Sequence, residues 1–157
     1  SWVVDASPLI ALARVGRLEL LVSLAPSLII PEPVADEVLA GTPDDPAKAA
    51  LAAGFGARVP IGAIPSELQE WGLGRGETSV IALARITPAA VAVLDDAQAR
   101  RCARACGIPL LGTLGVLVLA KSRGMVPSFM QVARDLRAAG FHVDTRTLET
   151  IAKSLGE

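Results

Sequence analysis

Val3-Val4-Asp5-Ala6-Ser7-Pro8-Leu9-Ile10 decides how the rest of the chain is read. Two β-branched residues run into an acid, and a small residue, a hydroxyl, a proline and an apolar helical pattern follow. This is the pattern of a buried strand that ends in a carboxylate and turns at once into a helix. Open α/β sheets bind ligands just beyond the carboxyl ends of their strands, so Asp5 is a candidate site residue. The competing explanation is a plain helix cap, a common job for Asp or Ser at this place.

Outward from that stretch the same grammar repeats. Leu9 to Val22 has helical apolar spacing with a break expected at Gly16, and Leu28 to Ile30 reads as a short buried strand between Pro26 and Pro31. Pro33 suits the first turn of the next helix. In that helix Val34, Glu37, Val38 and Gly41 share a face, which places Glu37 within an apolar stripe, and Gly41 ends the helix. A short alanine-rich helix is expected over 47–53 and an extended segment over 58–65. Glu77, Val80, Ile81 and Ala84 then repeat the i, i+3, i+4, i+7 spacing, so a second acid heads an apolar stripe. Ala89 to Leu94 is a strand that ends in Asp95-Asp96. A helix over 97–106, a strand over 108–111 and a helix from Gly112-Thr113 to about Ser122 come next, followed by amphipathic helices over 127–139 and 145–155. Strands separated by helices imply a three-layer α/β/α fold around a mostly parallel sheet, with C-terminal helices added.

Composition narrows the class. At 157 residues the chain suits a single domain, and the 52% hydrophobic share gives it a sizeable core of Ala, Leu, Val and Ile, since aromatics are only 3%. The formal charge of −1 neither favours nor opposes an anionic partner. Arg outnumbers Lys, which favours recognition of carboxylate or phosphate. Cys102 and Cys106 fall on one helix side and read as small buried hydrophobes in a reducing compartment, not as a disulfide framework or a zinc knuckle. No basic-then-apolar leader is read at the start, and Ser1 suggests a trimmed beginning. The uncharged run from Ala105 to Ala120 contains Pro109 and is too short and broken to span a bilayer. Gly72, Gly74 and Gly76 do not make a nucleotide loop, because the following acid would repel phosphate. His142, the single histidine, falls in a late connection and receives no catalytic role.

The acids carry the chemistry. Asp5 and Asp95 or Asp96 stand at strand ends, and Glu37 and Glu77 on the core sides of helices, positions that a parallel sheet can bring to one edge. Close carboxylates repel by about 4 kcal/mol per pair at an effective dielectric of 20. Such a cluster persists if protonated or if a cation sits among it. Carboxylates with water suit Mg²⁺ or Mn²⁺, and an ion held this way can activate water and clamp a phosphate.

VVDASPLIALA, PEPVADEVLAG, LGRGETSVIALA, VLDDAQARRCA and GIPLLGTLGVLVLAK occur in that order over about residues 2–125. Together they resemble PIN domains of the VapC-like toxin type. The resemblance implies one PIN-like domain over 1–157, with a core over about 2–125 and a C-terminal helical extension over about 126–157. It implies a metal-dependent endoribonuclease that cuts single-stranded RNA and leaves 5′-phosphate and 3′-hydroxyl ends. The catalytic and metal-binding acids map onto Asp5, Glu37, Glu77 and Asp95, with Asp96 adjacent, and the supporting hydroxyls onto Ser7 and Thr113. The resemblance places the family's acid first of the pair, so Asp95 is taken as the metal-facing one, and adjacent residues at a strand end point in opposite directions, which argues against both being ligands.

The chain departs from the family's pattern in two places. The third acid of most PIN domains is an Asp within the helix, whereas here Glu77 stands at its start, and the fourth region offers two acids. A toxin–antitoxin role, an antitoxin partner, a homodimer and a cytoplasmic location go with the resemblance. Setting the five acids aside leaves 11 acids against 15 basic residues, a remainder of +4 that suits an RNA backbone. Arg100, Arg101 and Arg104, on the polar side of their helix, are the RNA-binding candidates. Two alternatives stand beside this reading: a PIN fold that binds RNA or a partner without cutting, and a receiver-like signalling module built on Asp5, Asp95-Asp96 and Lys121.

Overall fold

The computed structural model describes residues 1–157. Five short strands, β1 (Trp2–Val4), β2 (Leu28–Pro31), β3 (Ala57–Val59), β4 (Val91–Val93) and β5 (Leu110–Leu111), form one sheet in the order β3-β2-β1-β4-β5. Every pairing is parallel, with Val3 opposite both Ile29 and Ala92 and Val93 opposite Leu111. The expectation was a mostly parallel sheet; the sheet is wholly so. Residues of β1 are fully buried because helices cover both faces.

The helices are α1 (Ala6–Arg14), α2 (Glu19–Leu24), α3 (Glu32–Leu39), α4 (Pro46–Ala52), α5 (Ser66–Gln69), α6 (Arg75–Ile86), α7 (Ala97–Ala105), α8 (Thr113–Ser122), α9 (Phe129–Ala138) and α10 (Thr145–Ser154). Gly16 at φ +66° ends the first helical run, so the stretch read as one broken helix is α1 and α2. Extended structure covers only Ala57–Val59, the exposed edge strand, rather than 58–65, and the single turn α5 follows. No helix is long and apolar enough to cross a membrane.

The chain runs from β1 outward to β2 and β3, then returns to the other side of β1 for β4 and β5. The strand order therefore reverses between β1 and β4. That switch point opens a crevice beyond the carboxyl ends of the two strands, where ligands bind in sheets of this kind. The Asp5 N–H donates to the Val93 carbonyl at 3.1 Å, which fixes the end of β1 against the end of β4 at this crevice.

Candidate active site

Asp5 caps β1 and lies at the start of α1, yet its side chain makes no capping hydrogen bond to that helix. It is 5% exposed. Burial pushes its carboxyl up to about 7, and the charges of Glu77, Glu37 and Asp95 push the same way, against a backbone hydrogen bond from Ala6. All three neighbours are acids that the sequence places at strand ends or helix faces.

Packing of α3 against α6 brings Glu37 and Glu77 to the crevice. Gly76 lies between the carboxylates: a Cβ there would fall 2.8 Å from Glu37 Oε2 and 3.3 Å from Asp5 Oδ1. Glu37 itself is exposed, contrary to its expected place in the apolar stripe. The stripe of α3 is Val34, Ala35 and Val38, and Glu37 sits at its rim, where the helix meets solvent over Gly76. Glu77 is half-buried, and the Gly74 N–H donates to its Oε2 at 3.2 Å, so it also caps α6. Desolvation raises its carboxyl, and Asp96 and Glu37 add to this, while the Gly74 hydrogen bond opposes it.

Asp95 and Asp96 divide the work at the end of β4. Asp95 accepts from Thr113 twice, from N at 2.7 Å to Oδ1 and from Oγ1 at 2.6 Å to Oδ2. Asp96 is exposed and accepts from the Ala99 N–H at 2.9 Å, which makes it the N-cap of α7. Their carboxylates take different partners, Asp95 on Thr113 of α8 and Asp96 on the first turn of α7, while both residues border one cleft. The strand itself stops at Val93, two residues before this pair.

The acids border two adjoining recesses. One, of about 860 Å³, is lined by Glu77, Asp95 and Asp96 and by Ser7, Ile10, Ala11 and Arg14 of α1. The other, of about 400 Å³, holds Asp5, Glu37, Gly76 and Arg75. Ser7 and Glu77 border both. Carboxylate oxygens and nearby hydroxyls are the donors that Mg²⁺ and Mn²⁺ prefer. A buried carboxyl pressed by three acids, with a glycine keeping the space over it open, fits such an ion. No three of these side chains form a closed ligand cage in this conformation, so the fit is of an open set.

Of the three arginines, only Arg100 borders the large cleft, where its Nη1 donates to the Leu94 carbonyl at 2.8 Å. Arg101 and Arg104 are exposed outside the cleft, further along α7. Lys121 is at the far end of α8, donating to the Pro127 carbonyl at 2.6 Å and pairing with Glu157 at 3.6 Å, so it does not complete a phospho-acceptor pocket with the aspartates. Two polar cleft residues are not among the site candidates read from the sequence: Arg14, and His142, which receives no catalytic role there. For Arg14 a signal existed in the i, i+3, i+4, i+7 spacing from Ser7; for His142 none did, because its place depends on how the last helices fold back. Cys102 on α7 and Cys106 at its C-cap are free thiols, and burial pushes Cys102 up to about 11.

A search of curated proteins finds no match to the chain. A family model described as a PIN domain, in contrast, matches residues 1–157. With its parallel sheet and acids at the switch point, the chain belongs to the PIN-domain family.

Proposed function

We propose that this PIN domain is an Mg²⁺- or Mn²⁺-dependent endoribonuclease that cuts single-stranded RNA phosphodiesters, as the cytoplasmic toxin of a toxin–antitoxin pair. PIN domains are in general nucleases, and the observation that carries the reading here is the approach of Asp5 and Glu37 over Gly76, with Glu77 beside it. In this reading Asp5, Glu37, Glu77 and Asp95 hold the cation, with Asp96 at the margin. A bound ion of this type supplies activation of water and a clamp on the phosphate. Asp5, nearly out of water, contributes a charge that only a cation makes comfortable at neutral pH. Thr113 fixes the plane of the Asp95 carboxylate, and Ser7 supplies a hydroxyl at the junction of the two recesses. Glu77 stands where it can face both recesses and orient the attacking water. The reading takes 1–157 as one domain, a core over about 2–125 with a helical extension over about 126–157, forming a homodimer and meeting a cognate antitoxin.

One observation favours a second reading, a PIN fold that binds RNA or a partner without cutting it. Asp95 and Glu77 already have structural partners in Thr113 and Gly74, and the acids do not form a closed cage. Labelled single-stranded RNA incubated with Mn²⁺, with chelator and with the Asp5→Asn variant separates the two. Cleavage that needs metal and Asp5 is expected. Binding without cleavage selects the second reading, and an unchanged rate for Asp5→Asn at saturating Mn²⁺ removes the site assignment.

A further inference from the structure

We infer that the large cleft is a subsite for one unpaired nucleobase next to the scissile phosphate, walled by the α9–α10 connection with His142 and Phe141 as the base-contacting side chains. The inference rests on the reading of the chain as a PIN domain acting on RNA.

The connection is built rather than loose. Gly140, at φ +103°, ends α9 in the left-handed conformation, and the Phe141 N–H returns to the Leu136 carbonyl at 2.9 Å. Arg137 bridges to Thr145 at 2.9 Å, and Asp144 caps α10 through the Thr147 N–H at 2.7 Å. This turn sends Phe141 and His142 back over the cleft, where they are the only rings among its lining residues. Phe141 is half-buried against the core and His142 is exposed.

The lining of the cleft combines the chemistries a nucleotide would need. Glu77, Asp95 and Asp96 are its acids. Along the α1 wall apolar Ile10 falls between Ser7, which also borders the acid recess, and Arg14, and Leu111 of β5 lines the cleft as well. Arg14 lies two helical turns from Ser7 on α1, about 10 Å at the ordinary rise per residue, and borders the same cleft. Arg14 already shares one nitrogen with Asp45 at 3.3 Å, which orients a guanidinium that has further donors to give. Arg100 adds a second cation. An anion at the acids with their ion, a flat apolar group against Ile10 and a further anion near Arg14 match a phosphate, a base and the next phosphate. Rings that stack on a base accept any sequence and require the base to be unpaired. A duplex keeps its bases inside the stack, so the connection would select single strands.

His142→Ala tests this, since an exposed side chain with no hydrogen bond can be removed without loss of fold, and Phe141→Leu is the second variant. Binding of a short 5′-labelled oligouridylate is followed by anisotropy in chelator, with an abasic position walked along the strand, and cleavage is followed with Mn²⁺. His142→Ala is expected to weaken binding by about five-fold or more. One abasic position should produce the same loss in the parent protein and no further loss in the variant, while the Mn²⁺-induced rise in Tm stays whole. Equal affinity of the parent, His142→Ala and Phe141→Leu overturns the subsite, and if that RNA is still cut the nuclease reading stands. A loss that ignores the abasic position also overturns it, leaving His142 as a backbone contact. A His142-dependent loss in RNA that is bound but never cut upholds the subsite and removes the nuclease reading. RNA that is neither bound nor cut overturns both, as when the cleft takes a protein partner instead.

Discussion

Thr113 holds Asp95 by both carboxylate oxygens, at 2.7 Å through its backbone N–H and at 2.6 Å through its hydroxyl. The end of β4 is thereby tied to the first turn of α8 across a separation of 18 residues. Thr113 is fully buried, so this bond is shielded from competing water. Thr113→Val keeps the shape and removes one donor from a charged acceptor. We expect a loss of about 1–3 kcal/mol, a fall in Tm of several degrees, and slower cleavage. Thr113→Ser should restore most of both, and melting curves of the two variants check it.

Asp95→Asn should slow RNA cleavage more than Asp96→Asn. Asparagine caps a helix about as well as aspartate, so Asp96→Asn should leave the Tm nearly unchanged, whereas Asp96→Ala should cost about 0.5–2 kcal/mol through α7. A larger cleavage defect in Asp96→Asn than in Asp95→Asn would reverse the choice between the neighbours.

Asp5 makes stability depend on pH in a defined direction. Its carboxyl sits at about 7 in the fold against a usual 3.8. Below 3.8 both folded and unfolded chains hold the proton; above it the unfolded chain releases it first, so stability falls as pH rises and the loss is complete above about 7. The full effect is of order 4 kcal/mol. Asp5→Asn should flatten this slope, raise the Tm of the metal-free protein near neutral pH by several degrees, and remove most of the rise caused by Mn²⁺. For the parent protein that rise corresponds to about 2.7 kcal/mol at a hundred times the dissociation constant. A capping role for Asp5 predicts a lower Tm and an intact metal response instead, and calorimetry across pH tells them apart.

Gly76→Ala places a methyl group 2.8 Å from Glu37 Oε2. The backbone of α6 gains, by up to about 1 kcal/mol from helix propensity. Glu37 is exposed and can swing away, while Asp5 is buried and cannot. The expected result is an apo protein no more stable than the parent, since the fixed Asp5 contact at 3.3 Å offsets the helix gain, with a weakened Mn²⁺-induced rise in Tm and slower cleavage. A full metal response would mean that Glu37 does not belong to the ion's ligand set.

Of the three arginines on α7, Arg100→Gln alone should flatten the salt dependence of RNA binding, by about 0.7 in the slope of log affinity against log salt. Arg101→Gln and Arg104→Gln should leave the slope as it is, because neither borders the cleft. Affinity measured at several salt concentrations decides it, and equal slopes for all three variants would make the cleft irrelevant to the RNA backbone.

The sequence by itself determined the alternation of short β-branched runs with helical stripes, and hence a parallel three-layer fold with Asp5 and Asp95 at strand ends. These are local properties: a period of two or of 3.6, a proline at a first turn, a glycine past a last one. Periodicity names the face a residue occupies and is silent on distance along that face. Glu37 therefore read as core, although the tertiary packing of α3 on α6 puts it at the rim. The strand order was also beyond local reading, and only the jump from β3 back to β4 beside β1 sets Asp5 next to Asp95. Thr113 gripping Asp95, Arg14 reaching the cleft and the α9–α10 turn carrying His142 over it all join residues distant in the chain. Such contacts form because burying a continuous apolar core forces the helices into one arrangement, and that arrangement is a property of the whole chain rather than of any stretch within it.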